Sequence, residues 1–159
     1  MLPSYTMSFD GALLQRGFWL YVWDIRCPKG RFLYVGRTGD SSSPNASSPF
    51  NRIGQHLNFA ENAKGNSLAR QLQNVKVNPS DCKFEMTAIG PLFPEQTNWD
   101  KHTPLRDKTA GLESALAVTL NGRGYTVIGT HGSHADLDMK LFPQVLEIID
   151  RKFPLVQLP

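Results

Sequence analysis

Alternating apolar residues near the start of the chain predict a β-hairpin. Residues 18–26 are rich in aromatic and β-branched side chains, and one face of this predicted strand carries Trp19, Tyr21, Trp23 and Ile25. Pro28-Lys29-Gly30 is typical of a turn, and residues 31–37 indicate a second strand. Because the connection is so short, the two strands are expected to pair antiparallel. Residues 82–89 alternate between apolar and polar side chains and predict a third, half-exposed strand.

Apolar residues at helical spacing predict four helices. The first begins at residue 49, and the others cover residues 67–75, 103–120 and 143–153. The first and third have clear starts, since Ser48-Pro49 and Thr103-Pro104 each place a hydroxyl cap before a proline. The third is expected to stop at Asn121-Gly122. The apolar stripe of the first helix consists of Phe50, Ile53, Leu57 and Ala60.

The order of these elements predicts a single domain of the α+β class over residues 1–159. A small antiparallel sheet, made of the hairpin plus the third strand, is expected to be flanked by helices. Residues 125–128 form a short apolar segment that is a further candidate strand. Two long irregular connections are predicted, the serine-rich residues 39–49 and residues 90–102, and long connections often carry function.

The composition leaves nucleic-acid binding open and argues against some other classes of protein. Seventeen lysines and arginines against fourteen aspartates and glutamates give a net charge of +3, which permits a nucleic-acid partner without requiring one. The longest apolar stretches are far shorter than the eighteen or so residues of a membrane span. Two cysteines make no disulfide framework, and the first residues lack the pattern of a secretory signal, so we expect a cytoplasmic protein.

Three polar residues on predicted helices are candidates for chemistry. Arg52 and His56 are spaced i and i+4, so both project from one side of the first helix, at the rim of its apolar stripe. The alternative is an ordinary boundary pair on an amphipathic helix. Glu113 lies among apolar neighbours on the third helix, where a carboxylate needs compensation. A metal ligand or a catalytic carboxylate would explain it, and so would a glutamate that reaches water or pairs with an arginine.

The hairpin supplies two tyrosines, a glycine and an arginine. Tyr21 and Tyr34 lie on the two predicted strands, where a tyrosine is usually a core residue with its hydroxyl at the rim. Gly36 suggests the close approach of a ligand backbone. Arg37 follows directly, and its donor fork suits a phosphate group.

Together these residues resemble the GIY-YIG nuclease superfamily. Leu20-Tyr21-Val22, then eleven residues, then Tyr34-Val35-Gly36 resemble its double signature, and Arg52, His56 and Glu113 follow in the family's order. The resemblance covers about residues 18–121 and leaves about residues 122–159 as a C-terminal helical extension. Two positions depart from the pattern. Leu20 stands where the family name has glycine, and the family's asparagine beyond the glutamate is either Asn121 or absent.

The resemblance implies a DNA endonuclease that holds one divalent cation, Mg²⁺ or Mn²⁺, through Glu113 and water. Tyr21 would take the proton of the attacking water, with Arg37, His56 or a metal-bound water as candidates for lowering the pKa of its phenol. Arg52 would stabilise charge on the phosphoryl oxygens, and Tyr34 would position the nucleophile or the phosphate. Arg37 and Asn121 are the candidate phosphate contacts. Both tyrosines must then face the same side of the hairpin.

The preferred function is a compact, restriction-like endonuclease that recognises DNA through its own loops (residues 39–49, residues 90–102 and the C-terminal extension). A homodimer is expected if the DNA site is palindromic. One alternative is a catalytically inactive nucleic-acid-binding relative of the same fold, and another is an α+β domain of unrelated function. A lesser cluster, His131, His134, Asp136 and Asp138, has ligand types that suit a transition metal, but its spacing favours a polar loop.

Overall fold

The computed structural model describes residues 1–132 and 136–156. Over these ranges the strands are β1 (Phe18–Cys27), β2 (Gly30–Arg37), β3 (Lys83–Phe93) and β4 (Thr126–Val127), in the sheet order β3-β1-β2-β4. The α-helices are α1 (Pro49–His56), α2 (Ser67–Asn74), α3 (Trp99–Gly122) and α4 (Phe142–Lys152). Short 3-10 turns lie at Gly11–Leu14 and Pro79–Asp81. The α+β class is therefore confirmed.

The sheet is mixed, whereas the sequence predicted an antiparallel sheet of three strands. β1 pairs antiparallel with both β2 and β3, as expected for the hairpin plus a third strand. The short β4 pairs parallel with β2, opposite Phe32 and Leu33. The chain reaches β4 only after the long helix α3, and a crossover of this kind is what a parallel pairing requires.

Both faces of the sheet are covered by helices. Residues 18–25 of β1 are all buried, which makes β1 the centre of the molecule. On one face, Leu20 and Val22 belong to a cluster with Leu112 and Leu116 of α3 and Val145 of α4. The opposite face carries a cluster of aromatic and aliphatic residues from the sheet and α2: Tyr21, Trp23, Ile25, Tyr34, Leu68 and Leu72. Burial of one large apolar side chain contributes about 1.5–3 kcal/mol, so these clusters fix the sheet between its helices.

The connection predicted over residues 90–102 is mostly regular structure. β3 continues to Phe93 and α3 begins at Trp99, which leaves residues 94–98 as the loop. Asn98 caps α3 through a hydrogen bond from the backbone N–H of Lys101 at 3.0 Å. The predicted start at Thr103-Pro104 is therefore wrong, and Pro104 lies inside the helix. A proline in the second turn removes one backbone donor, and the strong cap upstream allows the helix to begin earlier.

Helix α1 differs from the prediction in its length and in the side that it buries. It ends at His56, and Ala60 is exposed beyond it. Phe50 and Ile53 of the predicted stripe are only half-buried, whereas His56 is fully buried. The ring of Phe50 packs instead on Phe9 of the N-terminal segment, at 4.5 Å between centroids. The helix consequently turns Arg52 and His56 toward the end of β2, while Ile53 packs against the apolar residues of the sheet.

The end of β2 is where elements from both faces of the sheet can meet. β4 pairs with β2 at Phe32 and Leu33, and His131 then contacts the Val35 carbonyl through Nε2 at 2.9 Å. On the side of β2 away from β1, Gly36 and Arg37 have no strand beside them within the described ranges. Side chains from α1 on one face and α3 on the other therefore converge around this strand end.

Candidate active site

The convergence at the end of β2 forms a cleft of about 190 Å³, here called the catalytic cleft. Its lining comes from β1, β2, α1, α2, α3 and the loop after β2, and consists of Tyr21, Tyr34, Gly36, Arg37, Asp40, Arg52, His56, Ser67 and Glu113. All five residues expected to be catalytic thus line one cleft together with Arg37.

The two tyrosines share one face of the hairpin. Tyr21 lies opposite Gly36 and Tyr34 opposite Trp23, so the two rings are diagonal neighbours on adjacent strands. Both belong to the cluster on the α2 side of the sheet. The register places them as the expected roles require.

The hydroxyl of Tyr21 is held by two partners at the buried base of the catalytic cleft. It donates to the Arg37 carbonyl at 3.0 Å and lies 2.6 Å from Nε2 of His56. A hydroxyl has one proton, so Nε2–H of His56 donates to the Tyr21 oxygen when that hydroxyl donates to Arg37. Nδ1 of His56 is buried without a partner among the described residues, which fits an unprotonated nitrogen.

Burial keeps the tyrosine and the histidine neutral. Burial raises the pKa of Tyr21 above its ordinary value and outweighs the opposing effect of Arg52. Burial also lowers the pKa of His56, to about 3, and the charge of Arg52 adds to this shift. His56 therefore acts on Tyr21 as a neutral hydrogen-bond donor, and Arg52 is the nearby cation that favours the phenolate.

Glu113 is compensated by an ion pair with Arg37. Nε of Arg37 donates to Oε2 of Glu113 at 2.8 Å, and each side chain is less than one-fifth exposed. A second guanidinium nitrogen, Nη1, donates to the Gly39 carbonyl at 3.0 Å. This pair explains how a carboxylate is tolerated beside the buried apolar residues of α3, and it fixes the guanidinium beside the cleft.

Asp40 is a member of the catalytic cleft that the sequence analysis missed. Its Oδ2 lies 3.4 Å from Nη1 of Arg52, and its Oδ1 accepts from the Ser42 backbone at 2.9 Å. Burial raises the pKa of Asp40, but hydrogen bonds from Ser42 and the charge of Arg52 outweigh this and hold it below its ordinary value. The signal available in the sequence was a carboxylate three residues after Arg37, directly behind a strand end. Ser67, the first residue of α2, was missed as well.

Gly36 has a packing role that the sequence did not predict. A Cβ atom at this position would lie 2.3 Å from Cε2 of Tyr21 and 2.8 Å from its hydroxyl oxygen. The glycine therefore makes room for the tyrosine ring of the same protein, where the sequence had suggested the approach of a ligand.

Asn121 is not among the residues that line the catalytic cleft. It lies on the last turn of α3, eight residues beyond Glu113 and thus about 12 Å along the helix axis. It lines a separate cavity with Val118, Val127 and His131. The structure therefore does not bring Asn121 together with the other candidates.

The cluster between His131 and Asp138 behaves as a polar loop as far as it is described. Oδ1 of Asp138 accepts from the backbone of Lys140 and Leu141 at 3.0 and 3.1 Å, in the turn that precedes α4. His131 contacts the Val35 carbonyl. His134 lies outside the described residues.

The donor set of the catalytic cleft suits one hard divalent cation. Oε1 of Glu113 accepts no hydrogen bond from the described residues, while Oε2 is held by Arg37. Mg²⁺ keeps several waters and usually takes one or two carboxylates together with substrate phosphates. In residues 1–132 and 136–156 no group of three or more metal-ligating side chains occurs, so a cage built entirely from them is not present.

Comparisons with known proteins add no relative. Searches against protein-family models, curated proteins and solved structures each found no match to this chain. Within the described residues no helix is long and apolar enough to cross a membrane.

Proposed function

We propose that the protein is a divalent-metal-dependent DNA endonuclease of the GIY-YIG type. The observation that carries the proposal is the single cleft that gathers Tyr21, Tyr34, Arg52, His56 and Glu113 from both faces of the sheet. These residues are far apart in the sequence, and the fold brings them together in the combination that phosphodiester hydrolysis needs: cations, a carboxylate and hydroxyl groups.

The two arginines are the groups that would bind the scissile phosphate. Arg37 and Arg52 line the same cleft, and each is held by a carboxylate, Glu113 and Asp40 respectively. The fixed, planar guanidiniums would donate hydrogen bonds to the phosphate oxygens and stabilise the charge that develops on them. Tyr34 would orient the phosphate or the attacking water through its hydroxyl.

Glu113 would hold the cation, which supplies Lewis-acid stabilisation of the phosphate when bound. Tyr21 would accept the proton of the attacking water in its phenolate form. Two groups favour that form: Arg52 by its charge, and His56 by donating Nε2–H to the phenolic oxygen. Burial opposes it, so Tyr21 must first give its own proton to a water molecule in the cleft before it can act as the base.

The restriction-like character is part of the proposal. The loops around the catalytic cleft are the segments of this chain that would contact the DNA site. Two copies would cut a palindromic site, which sedimentation of the protein with a cognate duplex would test by the mass of the complex.

A plasmid-nicking assay tests the nuclease. Supercoiled DNA is incubated with the protein and Mg²⁺ or Mn²⁺, and a chelator is added to parallel samples. We expect metal-dependent nicking that falls about 100-fold or more in Tyr21→Phe and Glu113→Gln, as for loss of general base or metal ligand. Matched controls are Tyr5→Phe and Glu147→Gln, because both side chains are exposed and neither lines the cleft.

Other outcomes separate the alternatives. Binding of DNA without cleavage, unchanged in Tyr21→Phe and Glu113→Gln, would identify an inactive nucleic-acid-binding relative. Neither binding nor cleavage would leave an α+β domain of unrelated function. Nicking that persists in both variants would show that another site carries it.

A further inference from the structure

A second cavity of about 470 Å³ adjoins the catalytic cleft. The two share Tyr34, Ser67 and Glu113 in their walls, so the cavity continues from the catalytic cleft. One wall is helix α2, and the other is the segment of residues 129–131. A polymer bound with one phosphate in the catalytic cleft would have its next nucleotides within reach of this cavity.

Helix α2 turns a polar stripe toward this cavity. Ser67, Arg70, Gln71 and Asn74 are spaced i, i+3, i+4 and i+7, so they lie along one side of the helix, and all four line the cavity. The opposite side of α2 is buried through Leu68, Ala69 and Leu72. Helix α2 is thus packed into the core through its apolar side, and its polar side faces the cavity.

The side chains of the stripe are available for a ligand. Arg70, Gln71 and Asn74 make no side-chain hydrogen bond or ion pair to any residue in the described part of the chain. Two carboxamides offer both donors and acceptors, and a single guanidinium supplies one positive charge. Asparagine and glutamine can form bidentate hydrogen bonds with the major-groove edge of adenine, and arginine can bind guanine or phosphate.

We propose that α2 reads the DNA bases next to the cleaved bond, with Gln71 and Asn74 on base edges and Arg70 on a phosphate. This inference rests on the proposed function. From Ser67 to Asn74 the helix rises about 10 Å, which matches about three base-pair steps of 3.4 Å. Gln71 and Asn74 lie one turn apart, so they would contact neighbouring base pairs on the side of the cut that α2 faces. They are then specificity-determining residues, separate from the residues that cleave.

The test is to select sequences from a randomised duplex library, by cleavage and by binding, with the wild type and four variants. We expect Gln71→Ala and Asn74→Ala to lose about tenfold of the discrimination at one or two base pairs beside the cut, and to cut the remaining sequences at a similar rate. Arg70→Ala should weaken binding of all sequences alike and reduce its salt dependence. Gln15→Ala is the matched control, since it removes an exposed amide that lines neither this cavity nor the catalytic cleft.

The outcomes distinguish this inference from the nuclease itself. A wild type that cuts with a sequence preference that neither Gln71→Ala nor Asn74→Ala alters would overturn the reading role of α2 and leave the nuclease standing. A wild type that does not cut, but selects sequences by binding and loses that selection in the two variants, would support α2 and overturn the nuclease. A wild type that binds DNA without any base preference would overturn the reading role, as would selection of RNA over DNA.

Discussion

The hydroxyl of Tyr21 and Nε2 of His56 lie 2.6 Å apart at the buried base of the catalytic cleft. Tyr21 is at the centre of the sheet and His56 is the last residue of α1, so this contact ties the helix to the strand that carries the proposed base. Both rings are fully buried, and both are neutral in the folded protein because burial disfavours their charged forms. The contact therefore couples the site to the stability of the fold.

His56 should make the protein less stable in acid. Its pKa falls from 6.5 in the unfolded chain to about 3 in the folded protein. Below pH 6.5 the unfolded chain binds a proton that the folded chain does not, so the free energy of unfolding decreases as the pH falls toward 3. The slope for one proton is about 1.4 kcal/mol per pH unit. Urea unfolding of wild type and His56→Gln at pH 7, 6, 5 and 4 measures this dependence of the free energy of unfolding on pH.

The difference in the free energy of unfolding between wild type and His56→Gln reports on this histidine alone, because every other titrating group is common to both proteins. His56→Gln retains a side chain that can hydrogen-bond to Tyr21 and does not titrate. As the pH falls below 6.5, we expect the free energy of unfolding of wild type to decrease relative to that of His56→Gln, by up to about 1.4 kcal/mol per pH unit. Parallel curves between pH 6.5 and 4 would show that His56 is protonated in the folded protein.

Gly36→Ala should damage the site from within. The new Cβ would lie 2.3 Å from the Tyr21 ring, which is fully buried and cannot swing away. Overpacking of this kind costs about 1–3 kcal/mol, and displacement of the Tyr21 hydroxyl should reduce nicking strongly. Unfolding in urea and the plasmid assay measure the two effects.

Gly54→Ala is the matched control, because a Cβ on this helical glycine meets nothing within 4 Å. It should stabilise the protein by about 0.5–1 kcal/mol through helix propensity and leave nicking unchanged. Equal behaviour of the two variants would contradict the explanation given for Gly36.

Local patterns in the sequence are sufficient to predict the strands, but not all of the helices and contacts around them. The alternation in β1, the turn at Pro28-Lys29-Gly30 and the cap at Ser48 are properties of a few neighbouring residues, and the structure contains each of them. The start of α3 was misplaced because two adequate caps compete, Asn98 and Thr103, and packing of the first turn decides between them. His102 of that turn is fully buried and contacts the Asp40 carbonyl through Nε2 at 2.8 Å, a contact between residues 62 positions apart.

The candidate site likewise contains residues that the sequence could identify and residues that it could not. Tyr21, Tyr34, Arg52, His56 and Glu113 were found by residue type and order, which a resemblance can supply. Asp40 was not found, because its importance comes from a loop that returns over Arg52. The reason for Gly36 was also out of reach, since it depends on the pairing register that brings Tyr21 opposite. Long-range register and loop closure are set by the whole fold and leave no local pattern.

Arg37→Ala should separate cation binding from catalysis. Arg37 donates to Oε2 of Glu113, so a cation must share this carboxylate with a guanidinium. Removing the positive charge should tighten Mn²⁺ binding to the DNA-free protein by about fivefold, corresponding to about 1 kcal/mol at a partly exposed site. Nicking should fall because a phosphate contact is lost. Electron paramagnetic resonance of free Mn²⁺ gives the first quantity, and the plasmid assay the second.

Arg151→Ala serves as the control for Arg37→Ala. It also removes an arginine paired with a glutamate, Glu147, but on the exposed surface of α4. We expect no change in either measurement. Weaker Mn²⁺ binding in Arg37→Ala would indicate that the guanidinium orients Glu113 for the cation more than it competes with it.

Asp40→Asn should tighten DNA binding and slow cleavage. The carboxylate lies 3.4 Å from Nη1 of Arg52 and occupies the guanidinium that a phosphate would need. Without the negative charge of Asp40, Arg52 should bind the phosphate more strongly by about 1 kcal/mol, which lowers Kd about fivefold. Cleavage should slow because the guanidinium loses one of the two side chains that fix its position, Gln55 being the other. Fluorescence anisotropy of a labelled duplex in the presence of a chelator gives Kd, and single-turnover nicking gives the rate.

The control for Asp40→Asn must have the same net charge. Asp150→Asn meets this condition, since Asp150 is largely exposed on α4 and pairs with Arg123. If tighter binding came only from the overall charge, both variants would show it equally. A gain in DNA affinity that occurs only in Asp40→Asn would locate the phosphate beside Arg52. This gain should be larger at low salt than at high salt. Weaker binding in Asp40→Asn would contradict the prediction, and would mean that the carboxylate holds Arg52 in the position from which it binds the phosphate.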